Sequence, residues 1–237
     1  MERTLTPEIM DDPRASREDL LTFVRWLDVH NRLLGVNRTL LRHLGRWSAR
    51  WPKGATIKVL DVGTGGGDVP LALARWGRER GLNVRVTGID LHPTTAAIAR
   101  ERCAADDRVT IVEGDALKIR DLFGVSSFDY VHASLFLHHL SEIRCLTLLA
   151  AMEQVAARGV VWTDLVRSRA MRVLVGLGAS VAPSIVRRDA IVSVAAGFTR
   201  REALDLAARV DMGFLRYRRS GLLYRFTLAG ERPGIMG

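Results

Sequence analysis

The chain is poor in cysteine. Its two, Cys103 and Cys145, stand apart with no paired spacing, which speaks against a disulfide framework and for reduced thiols in a cytoplasmic protein. Long apolar runs are missing as well. The longest, VLVGLGASVAPSIV from Val173 to Val186, is too short to span a bilayer and contains Pro183. No leader is expected, because Met1 to Pro13 is polar and acidic where a secretory signal is basic and then apolar. Lysine is nearly absent: Lys53, Lys58 and Lys118 leave 32 of the 35 basic residues as arginine.

The net charge of +9 raises the question of a nucleic-acid partner. The arginines, however, spread along the chain instead of forming a tract, and aromatic residues make up only 6%. A nucleic-acid surface is therefore not the favoured reading. The arginine skew, with alanine and glycine plentiful, matches codon bias in a GC-rich bacterial genome.

What is present describes a globular chain. Apolar residues reach 48%, and 237 residues suffice for one domain with a full core. No internal repeat or low-complexity tract interrupts it. Residues 1–50 read as helical. Ser16 and Asp19 resemble an N-cap pair ahead of LLTFVRWLDV, whose Leu20, Leu21, Val24, Leu27 and Val29 make a helical stripe. A second helix is predicted in NRTLLRHLGRW, before Trp51-Pro52, with the break between the two at Asn31 and Arg32.

From Thr56 strand and helix alternate. TIKVLDV, NVRVTGID, RVTIVEG, SFDYVHASL and GVVWTDLV read as strands. Between them lie the helical stretches VPLALARWGRERG, PTTAAIARERCA with Pro93 in its first turn, and SEIRCLTLLAAMEQVAA capped by Ser141. This alternation predicts a parallel sheet covered on both faces. Thr199 and Glu202 then form a capping box for REALDLAARV, and FLRYRR and LLYRFTLAG read as a hairpin about Ser220-Gly221. The stretch from Arg167 to Phe198 is predicted to be the least structured.

The stretch VLDVGTGGGDVP, from Val59 to Pro70, carries the chemistry. A phosphate-binding P-loop ends in Gly-Lys-Ser/Thr, and no lysine follows here. A dinucleotide loop has a third glycine where this chain has Asp68. Asp68 falls at the predicted helix N-cap, where a pyrophosphate would sit, and with Asp61 at the strand end it would repel one. The same carboxylates suit a cationic cofactor without phosphate, such as S-adenosylmethionine.

D-V-G-T-G-G-G resembles motif I, D/E-x-G-x-G-x-G, of the class I S-adenosylmethionine-dependent methyltransferases. Asp90, ending VTGID, is similar to the acidic residue that holds the ribose hydroxyls; a carboxylate accepts both hydrogen bonds of a vicinal diol. Asp115, in E-G-D-A, resembles the acidic residue that meets the adenine amino group, and F-D-Y-V-H-A-S-L-F-L-H-H-L resembles the strand and loop beneath the methyl-bearing end. The resemblance implies an α/β fold: a Rossmann-like, seven-stranded, mostly parallel sheet with an antiparallel last strand. Helices would cover both faces, residues 1–50 would form a helical lid, and 51–237 would be the cofactor-binding domain. It implies contacts to S-adenosylmethionine from Asp61, Gly63, Thr64, Gly65 and Gly67 in the loop. Asp90 and Leu91, Asp115 and Ala116, and Ser134 would add theirs, and Arg32 either holds the cofactor's carboxylate or is a solvated surface arginine.

The acceptor is narrowed by further absences. No N/D-P-P-Y/F follows the fourth strand and no Pro-Cys exists, which argues against amino and C5 methylation of nucleic-acid bases. No carboxylate-and-amide cluster for a catalytic magnesium stands out, so no metal is expected. Ser134 to Leu140 resembles the small-molecule branch, including quinone-ring and natural-product O-methyltransferases. The expectation is a methyltransferase acting on a hydroxyl of a small apolar, phenolic or quinol acceptor in polyketide or quinone biosynthesis. The alternatives are C-methylation of such a ring, an RNA methyltransferase, or a module that binds the cofactor without transfer. His139 and His138 are the candidate bases, His139 preferred because adjacent residues do not readily face one pocket. Asp164, at the end of the fifth strand, either orients the acceptor or holds a loop. Residues 167–198 are the candidate acceptor-pocket insertion, and 171–188 either wall that pocket or, less favoured, touch a membrane.

Overall fold

A computed structural model describes residues 2–8, 11–12, 14–169, 173, 175, 184–220 and 225–234; the side chains at 30, 32–34, 36, 184, 185 and 220 lie outside that description. Two helices, α1 (Arg17–Leu34) and α2 (Val36–Trp47), come first. The alternating part follows as β1 (Thr56–Val62), α3 (Asp68–Glu79), β2 (Asn83–Asp90), α4 (Pro93–Cys103), β3 (Val109–Glu113), α5 (Ile119–Phe123), β4 (Phe128–Ser134), α6 (Glu142–Val155) and β5 (Ala156–Leu165). Helices α7 (Ser184–Ala196) and α8 (Arg200–Ala208) precede strands β6 (Arg216–Ser220) and β7 (Arg225–Glu231).

The sheet has seven strands in the order β3-β2-β1-β4-β5-β7-β6. The first five run parallel, and β7 inserts antiparallel between β5 and β6, pairing Leu165 with Arg225 and Gly159 with Glu231. This is the expected mostly parallel sheet closed by a reversed last strand. The pleat divides β1 between two cores. Ile57 and Val59 face α2 and α3, packing with Leu44, Trp47, Leu73 and Trp76, while Leu60 and Val62 face α6 and α8, packing with Leu148, Met152 and Leu206. Because β1 connects to β2 on one side and neighbours β4 on the other, the strand order reverses at β1. A crevice opens there at the strands' carboxyl ends.

Most element ends fall where their residues predict. Ser16 Oγ meets Asp19 at the start of α1, His92 caps α4 with Pro93 behind it, Ser141 caps α6, and Thr199 with Glu202 closes the capping box of α8. Three details differ. The break between α1 and α2 lies at Gly35, which turns with φ 63°, and not at Asn31 and Arg32, which continue α1. Gly67, with φ 77°, is the N-cap of α3, so Asp68 is its first helical residue. Within the span predicted to be least structured, Ser184–Ala196 is helical. The pocket-or-membrane segment falls largely outside the described residues, as does the hairpin turn at 221–224.

Candidate functional site

The crevice above β1 and β4 holds a cavity of about 790 Å³. Its floor is the loop after β1. Gly63, Gly65 and Gly67 all take positive φ, 66°, 54° and 77°, a conformation that costs any side-chain-bearing residue about 1–2 kcal/mol. Gly63 is also needed for space, because a Cβ there would lie 2.6 Å from the Phe136 ring. The loop is tied down on all sides. Asp61, buried, accepts from Thr64 Oγ1 at 2.7 Å, and its other oxygen lies 2.6 Å from His132 Nδ1 on β4. Arg102 of α4 donates to the Gly66 carbonyl at 2.7 Å.

Asp90, at the end of β2, accepts from the backbone N–H groups of Gly65 at 2.9 Å and His92 at 3.0 Å. Burial pushes its carboxyl above the ordinary range. Leu91 beside it is 61% exposed, so its apolar side chain stands at the cavity mouth. Across the opening, Asp115 caps its own turn through Leu117 N–H at 2.9 Å, with buried Ala116 next to it. Asp68 accepts from Asn31 Nδ2 at 3.2 Å, and burial, then Asp61, raises its pKa. Asn31 Oδ1 is buried and has no partner among the described residues.

The other end of the cavity is built by the turn after β4. Leu135 takes φ 52°, unusual for a branched residue, while its N–H remains bonded to the Thr163 carbonyl at 2.9 Å. This reversal brings Phe136 under Gly63 and sets His138 and His139 on a single 3-10 turn. Both rings line the cavity, their centroids 4.3 Å apart. The two adjacent histidines therefore face one pocket, against expectation, because a 3-10 turn followed by an extended residue lets neighbours share a side. His138 Nδ1 lies 2.7 Å from Asp164, which also accepts from Trp162 Nε1 at 3.1 Å and is fully buried. Asp164 thus holds His138 and does not itself line the cavity.

Glu8 and Asp11, from the arm before α1, complete this end, and sequence reasoning missed both. Asp11 Oδ2 lies 3.0 Å from His139 Nδ1, and the Glu8 carboxylate, 6% exposed, stands 3.6 Å from His138 Nε2 and 4.0 Å from His139 Nε2. Three carboxylates surround two imidazoles, so the group draws in positive charge. Burial works against the imidazolium, but Asp164 and Glu8 outweigh it and lift His138 to about 10. Glu8 and Asp11 are correspondingly held below the carboxylate range, the neighbouring histidines outweighing burial. The only trace of this in sequence is the i, i+3 spacing of the two acids in PEIMDD, which reads equally as a solvated terminus.

Of the residues expected at a cofactor site, Asp61, Gly63, Thr64, Gly65, Asp90, Leu91, Asp115, Ala116 and Ser134 line this one cavity. Gly67 does not; it sits against Cys103 and Ala99 of α4, where its missing side chain permits close packing. The side chain of Arg32 lies outside the described residues.

Comparison with known proteins places this geometry. Residues 59–159 match the family described as "Methyltransferase domain". A demethylmenaquinone methyltransferase of Staphylococcus aureus is 33% identical over 103 residues, 44% of this chain. The match spans 40% of that relative's length. Among solved structures, a SAM dependent methyltransferase from Aquifex aeolicus has a TM-score of 0.61 at 19% identity, covering 93% of this chain and 98% of the other. Human N-acetylserotonin methyltransferase has a TM-score of 0.60 at 15% identity, covering 91% and 56%. The chain thus has the Rossmann-like methyltransferase fold. The matched residues 59–159 include the glycine loop, Asp90 and Asp115, on which the resemblance to S-adenosylmethionine-dependent methyltransferases rests.

Proposed function

We propose that the protein is an S-adenosylmethionine-dependent methyltransferase that acts on a hydroxyl of a small, largely apolar acceptor, phenolic or quinol. The observation that carries this reading is one cavity with the glycine loop, Asp90 and Asp115 at one end and the His138–His139 pair at the other. The residues present fit the cofactor. Unpartnered Asn31 Oδ1 and buried Asp68 offer acceptors to an ammonium group, and Asp90 faces the place of a ribose diol. A pyrophosphate would instead meet Asp61, Asp68 and Asp90 as repulsion.

Bound there, S-adenosylmethionine supplies an electrophilic methyl group on a sulfonium sulfur. The protein's own part is orientation and charge. Val24, Leu27, Phe136 and Leu140 wall the cavity with apolar surface that excludes water from an apolar acceptor. Asp11 fixes His139 through Nδ1, leaving Nε2 toward the cavity to take a hydroxyl proton. Charged His138, held by Asp164, favours the oxyanion left behind. Asp164 is therefore a positioning residue.

The Staphylococcus aureus relative named for demethylmenaquinone supports a second reading, methylation of a quinone ring carbon in a similar pocket. Among the described residues no helix is long and apolar enough to cross a membrane. The test is calorimetric titration with S-adenosylmethionine, S-adenosylhomocysteine, NADH and NADPH, followed by a screen of phenols, quinols and quinones for methylated product. Binding of the first two ligands, lost in Asp90→Ala, is the expected result, and O- or C-methyl product separates the two readings. Binding of a nicotinamide cofactor alone overturns both. Steeply salt-dependent RNA binding would put an RNA acceptor in their place.

A further inference from the structure

We infer that Glu8, His138 and His139 form a binding site for one divalent transition-metal ion at the acceptor end of the cavity. One ligand atom from each lies within 4.8 Å of the other two. Proximity of two histidines and an acid is common, so the argument rests on how each is held. Both Nδ1 atoms are occupied by carboxylates, His138 by Asp164 at 2.7 Å and His139 by Asp11 at 3.0 Å. That leaves the two Nε2 atoms, both turned toward Glu8, as the ligand positions, and the ion binds His138 by displacing the proton from its Nε2. A metal-binding histidine is oriented in this way, its second nitrogen engaged by a carboxylate that fixes the tautomer and makes the ligand more basic.

The gaps point the same way. Nε2 of His138 and of His139 stand 3.6 and 4.0 Å from the two oxygens of Glu8. These separations are too long for hydrogen bonds. Two ligands each about 2.0–2.2 Å from a shared ion stand apart by roughly this much. Glu8 is buried and fixed by a hydrogen bond from Ser193 Oγ of α7, so the carboxylate does not simply swing out to water. Three carboxylates against two imidazoles also leave negative charge for a cation to offset. Two histidines and one carboxylate suit zinc, cobalt, manganese or ferrous iron better than calcium or magnesium, which prefer all-oxygen shells. The three protein ligands share one side, and the cavity leaves the remaining position open to an acceptor oxygen. There the ion would favour the oxyanion in place of the His138 charge. The site itself does not depend on the methyltransferase reading.

The experiment uses the whole chain, stripped by chelator and titrated separately with Zn²⁺ and Co²⁺, with calorimetry for stoichiometry and the visible Co²⁺ spectrum for geometry. One equivalent binds, with the spectrum of a four- or five-coordinate ion. Glu8→Gln and His139→Gln weaken binding at least about tenfold, and Asp11→Asn weakens it about tenfold through the imidazole it orients. All three variants keep a single cooperative thermal unfolding transition without metal, which shows that they fold whether or not S-adenosylhomocysteine binds. Absence of saturable binding in the wild type overturns the proposal. So does binding that Glu8→Gln and His139→Gln leave unchanged.

Discussion

At the residue scale the loop after β1 shows two different uses of glycine, and they can be told apart. Gly63 and Gly65 have similar positive φ, yet a Cβ on Gly63 meets the Phe136 ring at 2.6 Å whereas a Cβ on Gly65 meets nothing within 4 Å. Gly65→Ala is therefore expected to cost about 1 kcal/mol of stability, from the backbone alone. Gly63→Ala costs about 2–3 kcal/mol, because the ring must move as well. Denaturant titration measures both. A double-mutant cycle with Phe136→Ala should return about 1 kcal/mol of the Gly63→Ala loss, and zero coupling would mean that the ring does not press on the loop. Glycines and acids of this loop were legible in the sequence because they are contiguous and each has a local reason. Glu8 and Asp11 were not, since their role exists only once a segment about 130 residues away turns back beneath them.

At the scale of elements, the strands could be read because buried parallel strands are nearly continuous runs of branched and aromatic residues. The burial of β5, with its last seven residues all inside, is such a run. Helix α7 could not. Its sequence SIVRRDAIVSVAA is rich in β-branched residues and has weak helical propensity. It is helical because of what it packs against: Val186 against Phe23 of α1, Val194 against Leu165, and the Ala195 and Ala196 carbonyls against the N-terminal arm. Arg3 is the clasp of that arm. It donates to the carbonyls of Ala196, Leu137, His138 and Leu140 at 2.7–3.2 Å and lies 4.3 Å from the Phe198 ring centre. Releasing the arm withdraws Glu8 and Asp11 from the histidines and frees the Asp12 carbonyl from His92, but the backbone N–H groups of Gly65 and His92 still hold Asp90. Arg3→Ala should accordingly lower kcat/KM for the acceptor about tenfold while changing S-adenosylhomocysteine affinity less than about threefold. Steady-state kinetics with an acceptor from the screen, beside calorimetry, measure the two. An equal loss in both would make the arm a general cover rather than part of the acceptor end.

At the scale of the whole molecule, residues 1–50 were expected to be one lid, and their packing divides them. Helix α2 lies in the core, with Leu40, Leu44 and Trp47 against Ile57, Val59, Val84 and Tyr130 of the sheet. Trp47 stacks on Tyr130 with ring centres 5.2 Å apart. Helix α1 instead packs Leu20 and Val24 on Ile98 of α4, beside the glycine loop. A cofactor in the cavity would touch α1, the β1 loop, β2 and the turn after β4 together, so it stabilises the fold as a unit and not a detachable cover. A ligand at one hundred times its dissociation constant adds about 2.7 kcal/mol. For a chain of this size each kcal/mol is worth about 2–4 °C. S-adenosylhomocysteine is therefore expected to raise Tm by about 5–10 °C in one cooperative transition, followed by calorimetry on the intact chain. Two transitions, with only the later one moved by ligand, would mean that α1 and α2 unfold as a separate lid. The cavity would then owe its closure to a mobile cover and not to the core that α2 shares with the sheet.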